Sequence, residues 1–357
     1  MPASILRVDP LGQRWQTNDP FLFCVHHIDR YPAGNDRLGP AAPLGGREIG
    51  QDFEGKDGWR MYHGDVVPGF PQHPHRGFET VTIVRTGYID HSDSLGATAR
   101  FGMGDVQWLT AGSGVVHSEM FPLLNPNGPN TLELFQLWLN LPAKSKMVPA
   151  YFTMFWNDQI PRQRFTDANG KHVDVTVIAG ALGDVQPLAP PPHSWGADPD
   201  ADLAIWSIAM EDGARWTVPP AAGTGTVRTL HQFAGTGLTV AAASAKAPAP
   251  EGQDIPGPAA VQVRPDEALT VEANRGPIEI LLLQGRPIGE PVAQYGPFVM
   301  NTRAELEQAF ADYRRTQFGG WPFADNAPVH PRDQGRFAKH ADGRVEEAER
   351  REEPTAP

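Results

Sequence analysis

Residues 69–84, GFPQHPHRGFETVTIV, decide how the rest of the sequence is interpreted. Their second half, residues 80–84, is a mostly β-branched run, which favours a strand. Outward from it, similar short runs occur at residues 88–91, 106–110 and 115–120, with glycine-containing turn signals between them. Short strands with a turn about every 8–12 residues are typical of a β-sandwich or a small β-barrel.

A second β-rich block follows a connection over residues 142–170. Its predicted strands are residues 173–178, 203–210, 214–218, 227–233, 238–243, 268–272 and 278–284. The two blocks have a similar layout, so the sequence predicts an all-β fold built from a duplicated barrel. Pro-rich pieces at residues 187–192 and 245–258 are expected to be surface loops.

One helix is predicted near the C-terminus. Thr302 and Glu305 have the spacing of a capping box, and Leu306, Phe310 and Tyr313 then form one apolar stripe. The stripe predicts a helix that docks on a sheet and ends near residues 318–320.

Two further segments complete the expected domain organisation. Residues 32–65 are rich in Gly, Pro and Asp and predict a long insertion, while the polar residues 319–357 predict a flexible tail. We therefore expect an N-terminal domain over residues 1–165, a second domain over residues 166–318, and the tail.

Composition narrows the class of protein. The 357 residues fit two domains, and the 37 glycines and 36 prolines argue against a helical bundle. The net charge of −12 disfavours binding to nucleic acid or to an anionic membrane. Cys24 is the only cysteine, which fits a reducing compartment. No secretory signal and no run long enough to span a membrane are visible, so we expect a cytoplasmic protein.

His73 and His75 are the first candidate metal ligands. Side chains two residues apart lie on the same face of extended backbone, so both imidazoles can approach one ion. Pro74 restricts His73 to extended conformations. His117 and Glu119 repeat this spacing in another predicted strand. Two such strands can meet inside a barrel and offer three imidazoles and one carboxylate.

This set of donors indicates the chemistry of the site. Three nitrogens and one oxygen leave coordination positions open, which suits Fe, Mn, Ni or Cu, whereas structural zinc prefers four closed ligands. Glu79 is a rival to Glu119, because on a regular strand it would share the face of His75. The alternative interpretation of Glu79 is a structural carboxylate bonded to Arg76 or to a backbone turn.

Other histidines and tryptophans are interpreted as structural. His26 and His27 are adjacent and would point to opposite faces of a strand, so we expect a surface or loop role. His91 is interpreted as a turn residue with carboxylate neighbours, and Trp108 and Trp138 as core residues. The second block has no His-x-His pair and is predicted to be metal-free.

Several separated motifs carry a family resemblance. They are residues 73–80 (HPHRGFET), 104–108 (GDVQW), 110–112 (TAG) and 117–120 (HSEM), with 19–21 (DPF) and 296–302 (GPFVMNT) outside them. In this order they closely resemble the pirin family of the cupin superfamily, over roughly residues 15–318. The chain departs from the shorter pirins in the insertion at residues 32–65, in a Pro-rich expansion of the second block, and in the tail.

The resemblance implies two stacked cupin-like β-barrels, of which the N-terminal one holds a metal ion. That ion is usually iron, expected here as Fe(II), with Ni, Mn, Cu, Co and Zn as alternatives. Carried over from the family, the ligands are His73, His75, His117 and Glu119, which favours Glu119 over Glu79.

The implied activity is that of a quercetinase-type dioxygenase. Its substrates would be dioxygen and a small aromatic molecule, a flavonol or a related enolic or catecholic compound, and Glu119 would accept the substrate proton. Phe70, Phe78 and Met120 would line an apolar pocket or belong to the core. One alternative is a non-catalytic, redox- or metal-gated regulator that binds a transcription factor or a metabolic enzyme; a weaker one is a cupin isomerase or hydrolase.

Overall fold

The computed structural model describes residues 4–243 and 252–349. Over these residues the chain contains 25 strands and one α-helix, so the predicted all-β fold with a C-terminal helix is confirmed. No helix among them is long and apolar enough to cross a bilayer. Two compact units are formed: unit 1 combines the chain up to Cys24 with Gln159–Gly289, and unit 2 combines Val25–Asp158 with the chain from Glu290 onward.

The strands are numbered in chain order. They are Ile5–Pro10 (β1), Arg14–Gln16 (β2), Phe21–Tyr31 (β3), Gly69–His75 (β4), Phe78–Thr86 (β5), Tyr88–Asp93 (β6), Thr98–Gly102 (β7), Val106–Thr110 (β8), Val115–Met120 (β9), Asn130–Asn140 (β10), Tyr151–Phe155 (β11), Arg162–Thr166 (β12), His172–Ala179 (β13), Ala204–Met210 (β14), Arg215–Val218 (β15), Val227–Ala234 (β16), Gly237–Ala242 (β17), Gln253–Pro256 (β18), Ala259–Val263 (β19), Leu269–Ala273 (β20), Ile278–Gly285 (β21), Ala293–Tyr295 (β22), Phe298–Met300 (β23), Phe337–Lys339 (β24) and Val345–Glu347 (β25). The α-helix is Arg303–Thr316 (α1).

Unit 1 is built from two sheets that share one apolar core. The larger sheet has the order β1-β19-β16-β21-β14-β13-β12, and the smaller has the order β15-β20-β17-β18. Leu230 and Leu282 of the first sheet and Trp216 and Val271 of the second are buried in the same cluster. All seven predicted strands of this block are present, whereas β12, β18 and β19 were not predicted.

The N-terminal residues belong to unit 1. β1 pairs antiparallel with β19, with Ile5 opposite Val263. The predicted first domain over residues 1–165 therefore differs from the observed division, because a strand from the start of the chain completes the sheet of the second block. Of the predicted loop at residues 245–258, residues 245–251 lie outside the described range, and β18 forms part of the remainder.

Unit 2 also has two facing sheets. In one, β11, β8, β5, β10 and β3 lie side by side, and the other has the order β25-β24-β7-β6-β9-β4. Val84 and Leu134 of the first sheet and Ile89 and Phe101 of the second are buried in one cluster. β11 lies inside the segment that was predicted to be a connection.

The expected flexible tail is wrong for its described part, which ends at residue 349. β24 pairs with β7, with Ala338 opposite Ala99, and β25 pairs with β24. Arg100 donates to the backbone carbonyls of His330, Pro331 and Gln334. Strand pairing uses backbone groups, so the polar composition of this segment did not reveal it.

The helix forms as the sequence predicts. The Thr302 hydroxyl accepts a hydrogen bond from the Glu305 N–H, and the Glu305 carboxylate accepts one from the Thr302 N–H, so the capping box is confirmed. α1 ends at Thr316, and Leu306 packs in a cluster with Val116 of β9. The helix thus supports the outer face of the strand that carries His117.

The insertion at residues 32–65 is an ordered loop. The Arg47 guanidinium lies 3.3 Å from the centroid of the Trp59 ring and donates to Asp52 at 2.9 Å. Asp52 and Tyr62 exchange two backbone hydrogen bonds. This buried ion pair and bridge fix the end of the insertion that leads into β4.

Candidate metal centre

Three imidazoles converge where β4 and β9 pair. His73 lies directly opposite His117 in the antiparallel register, and His75 follows two residues later on the same face. The ring centroids of His73 and His117 are 4.5 Å apart, and each lies 4.8 Å from that of His75. One ligand nitrogen from each ring lies within 4.8 Å of the others, and all three rings are buried or half-buried.

A β-bulge in β4 adds an aromatic side chain to this face. The register between β4 and β9 shifts between Phe70 and His73, so one extra residue stands in β4. Three residues apart on a regular strand would place Phe70 and His73 on opposite faces. With the bulge, the two rings share a face, and their centroids are 6.2 Å apart.

Hydrogen bonds orient two of the imidazoles. Nδ1 of His73 lies 2.8 Å from the Pro71 carbonyl, and Nδ1 of His75 lies 3.4 Å from the Pro297 carbonyl. A carbonyl only accepts, so each Nδ1 carries the proton and each Nε2 keeps its lone pair. Both nitrogens of His117 are buried without a hydrogen-bond partner. Such an orphaned buried imidazole fits a metal ligand.

Burial keeps these imidazoles neutral. It lowers the pKa of His73 to about 4 and the pKa values of His75 and His117 well below the usual 6.5, and the neighbouring histidines lower the last two further. Neutral imidazole is the form that binds a metal. At neutral pH, protons therefore do not compete for these three nitrogens.

Glu119 lies beside the triad and is held by the facing sheet. One of its carboxylate oxygens is 3.8 Å from Nε2 of His117, and Gln136 of β10 donates to the carboxylate at 2.9 Å. Burial raises the pKa of Glu119, and the Gln136 hydrogen bond partly opposes this shift. The carboxylate can therefore exchange a proton nearer to neutral pH than an exposed glutamate can.

Glu79, the rival ligand, has a different environment. It is fully buried, and the Thr110 hydroxyl donates to its carboxylate at 2.6 Å. Arg76, its expected partner, instead donates to Asp312 at 2.9 Å and to the Ser113 carbonyl. Glu79 is therefore a bonded carboxylate of the β5–β8 pair.

Two residues next to the triad were assigned other roles from the sequence. His91 was predicted to be a turn residue, which is wrong: it is a fully buried member of β6. It pairs with Glu119 across the sheet, and its ring centroid is 5.5 Å from that of His117. Trp138, assigned to the core, is half-buried and meets His75 edge-on at 5.3 Å. Side chains of β10 alternate with a period of two, so Gln136 and Trp138 share one face of the strand. This alternation was the sequence signal that could have placed Trp138 beside the triad.

Of the three apolar candidates for the pocket, Phe70 and Phe78 contact the triad. Phe78 stacks on Trp138 at 4.0 Å and contacts His75 at 5.1 Å. Met120 packs instead with Leu38 and Val67 and belongs to the core.

The adjacent histidines of β3 also differ from expectation. Their side chains make separate contacts, as predicted: His26 lies 3.0 Å from the Glu133 carboxylate and His27 lies 2.7 Å from the Tyr62 hydroxyl. The expected surface or loop role is wrong, because both residues are partly buried within the strand.

A cavity of about 370 Å³ opens in front of His73. It is lined by Phe70, Pro71, Gln72 and His73 of β4 and by His63 from the insertion. Of the candidate ligands, His73 lines this cavity and can therefore be reached from outside. Together with the three neutral nitrogens and the adjacent carboxylate, this opening fits a divalent transition metal that keeps a position for a further ligand.

Comparison with known proteins identifies the family of this chain. The model of the pirin family matches residues 48–139, and that of the pirin C-terminal cupin domain matches residues 206–319. A Pseudomonas aeruginosa protein provisionally named a quercetin 2,3-dioxygenase is 37% identical over 70% of this chain and 79% of its own length. A pirin-like protein of Solanum lycopersicum is 35% identical over 69% and 75%.

Solved structures agree with this assignment. The crystal structure of a quercetin 2,3-dioxygenase from Acinetobacter baumannii has a TM-score of 0.64 and 26% identity, covering 89% of this chain and 96% of that protein. The fold is thus that of the cupins. The chain belongs to the pirin family, as the sequence motifs indicated.

Proposed function

We propose that this protein is a metal-dependent dioxygenase of the quercetinase type, with His73, His75, His117 and Glu119 as metal ligands. The observation that carries the proposal is the triad of neutral imidazoles, of which His117 has no hydrogen-bond partner, beside an accessible cavity. The names of the similar proteins from Pseudomonas aeruginosa and Acinetobacter baumannii support the choice of reaction.

A divalent metal ion bound there would supply Lewis acidity, which lowers the pKa of a substrate hydroxyl that coordinates it. We assign Fe(II) as the native ion, on family resemblance. The chain's own residues bind and orient the substrate: Phe70 and Trp138 present aromatic surfaces on two sides of the triad. An enolic or catecholic aromatic molecule suits such walls. Dioxygen is the second substrate.

Glu119 is also the proton acceptor in this proposal, in the state in which its carboxylate is not bound to the ion. Its buried carboxylate has a raised pKa and lies next to His117, so it can take the proton of the substrate hydroxyl. Gln136 holds the carboxylate in place from the facing sheet. The hydrogen bond between Gln136 and Glu119 therefore links the two sheets of unit 2 next to the proposed metal ligands.

The test is oxygen consumption with quercetin by protein whose metal content has been measured. Protein is purified without added metal, loaded anaerobically with Fe(II), and mixed with the flavonol and air-saturated buffer. We expect oxygen uptake that requires both metal and flavonol. No uptake at full occupancy with Fe(II), Mn, Ni, Cu, Co or Zn would overturn the proposal and favour the regulatory alternative.

A further inference from the structure

The cavity in front of His73 is bounded by a residue of the insertion. His63 lines it together with Phe70, and their ring centroids are 5.6 Å apart. Phe53, also from the insertion, contacts the His63 ring at 5.1 Å. The insertion therefore contributes a polar side chain to the approach to the triad.

The tautomer of His63 is set by one hydrogen bond. Nδ1 lies 2.8 Å from the Gly50 carbonyl, and because a carbonyl only accepts, this nitrogen carries the proton. Nε2 of the neutral ring is then an acceptor. A hydroxyl group of a molecule in the cavity can donate to it.

The backbone is strained at the residue directly before His63. Tyr62, directly before His63, has a φ of 56°, in the left-handed region that a large side chain rarely adopts. Its hydroxyl donates to Asp29 at 2.6 Å, and Nδ1 of His27 lies 2.7 Å from the same oxygen. Buried hydrogen bonds thus hold Tyr62 in this conformation. Strain of this kind, retained by surrounding structure, is concentrated at functional positions.

The part of the cavity wall formed by Gln72 is also fixed. The Gln72 amide donates to the Asn326 side chain at 2.7 Å, and the Gln72 N–H donates to the Asn326 carbonyl at 2.8 Å. Asn326 belongs to the segment that follows α1. The insertion and this C-terminal segment, two of the parts that distinguish the chain from shorter pirins, therefore both shape the same cavity.

We infer that His63 determines specificity: its Nε2 accepts a hydrogen bond from a hydroxyl of an aromatic ligand that lies against Phe70 and reaches the triad with its other end. The inference rests on the proposed function for the aromatic class of ligand. It adds that the ligand carries a hydroxyl remote from the group that approaches the metal. A ligand without that hydroxyl does not use His63.

The test compares the binding of two flavonols by anaerobic titration calorimetry, which separates binding from turnover. Quercetin and 3-hydroxyflavone share the same hydroxyl–ketone pair, but 3-hydroxyflavone has no other hydroxyl. The protein is the full chain loaded with Fe(II), as wild type, His63→Ala and His63→Gln. His172→Ala, which changes a histidine of unit 1, is the matched control.

We expect His63→Ala to weaken quercetin binding about 3- to 10-fold, the range of one hydrogen bond, and to change 3-hydroxyflavone binding less than about twofold. His63→Gln, whose amide oxygen can also accept, restores part of the loss. Metal content and thermal stability stay at the wild-type values. His172→Ala binds both flavonols as wild type does.

Equal losses for both flavonols, or no loss for quercetin, would overturn the inference, as would wild-type protein that binds neither. Oxygen uptake is measured in parallel on the same samples. Binding that depends on His63 without oxygen uptake would sustain the inference and reject the dioxygenase proposal. Oxygen uptake together with quercetin binding that is unchanged in His63→Ala would sustain the dioxygenase proposal and reject the inference.

Discussion

His73 and His117 stand directly opposite each other in the β4–β9 pair, with ring centroids 4.5 Å apart. In neighbouring antiparallel strands, the Cα atoms of directly opposite residues lie within about 5.5 Å of each other, and backbone pairing alone sets this distance. The backbone register therefore brings the two imidazoles together before any ion binds.

Removing His117 should abolish tight metal binding. His117→Ala deletes the one triad member that no hydrogen bond holds, and we expect the metal content of the purified protein to fall about tenfold or more. Elemental analysis of protein prepared without added metal gives the readout. His172→Ala is the control, and a His117→Ala protein with wild-type metal content would contradict the assignment of this ligand.

Replacing Glu119 changes a proposed metal ligand and the proposed base together, so the variant is compared with wild type at equal metal occupancy. Glu119→Gln keeps the size of the side chain but removes the base, so we expect oxygen uptake at equal metal occupancy to fall about 10²- to 10⁴-fold. Glu79→Gln changes the bonded rival carboxylate and is the control. A larger loss of activity from Glu79→Gln than from Glu119→Gln would reverse the assignment of the two glutamates.

The buried ion pair of Arg100 and Asp90 should stabilise unit 2, including the C-terminal segment that Arg100 binds. The pair is bidentate and buried, with both hydrogen bonds at 2.7 Å, and Arg100 also binds three carbonyls of that segment. Arg100→Leu leaves the Asp90 carboxylate buried without a cation, with the His330 N–H as a remaining donor, so we expect a loss of about 3–5 kcal/mol in the free energy of unfolding, measured with denaturant.

A similar pair on the surface of unit 1 serves as the control. Arg164 and Asp174 are also bidentate, at 2.7 and 2.8 Å, but both are exposed. Arg164→Leu should leave the stability nearly unchanged. If the two arginine variants lost equal stability, burial would not be the reason for the strength of the Arg100 pair.

His231 should make unit 1 sensitive to acid. It is fully buried, stacks on Trp15 at 5.2 Å, and burial lowers its pKa from 6.5 to about 4. Between these pH values His231 is protonated in the unfolded chain but stays neutral in the folded chain. The free energy of unfolding therefore falls as the pH falls. His231→Phe removes this titration.

The measurement is the difference in the free energy of unfolding between wild type and His231→Phe at several pH values. We expect wild type to lose about 3 kcal/mol relative to the variant as the pH falls from 6.5 to 4, the interval between the pKa of an ordinary histidine and that of the buried His231. A constant difference over this range would show that the buried ring does not resist protonation.

The candidate ligands could be predicted because their geometry is local. His73 and His75, like His117 and Glu119, are two residues apart, and the alternation of a strand places each pair on one face. The capping box of α1 was equally local, since Thr302 and Glu305 are three residues apart. In these cases short-range periodicity decided the outcome.

What could not be predicted depends on partners distant in the chain. The bulge that brings Phe70 to the face of His73 is a property of the pairing with β9 and leaves no mark in β4 itself. His91 was assigned to a turn because carboxylates flank it, yet β6 lies beside β9 and buries it. Likewise, β24 is a three-residue strand in an otherwise polar segment, and it is ordered by pairing with the backbone of β7.

The pairing of β1 with β19 has a consequence for how the protein is made. β1 can pair only after a strand more than 250 positions later has been made, as Ile5 lies opposite Val263. The other unit waits longer still, because Phe337 and its neighbours complete one of its sheets. Neither unit can complete its sheets before these distant strands have been made, so strand edges stay exposed during translation and chaperones have a long interval in which to act.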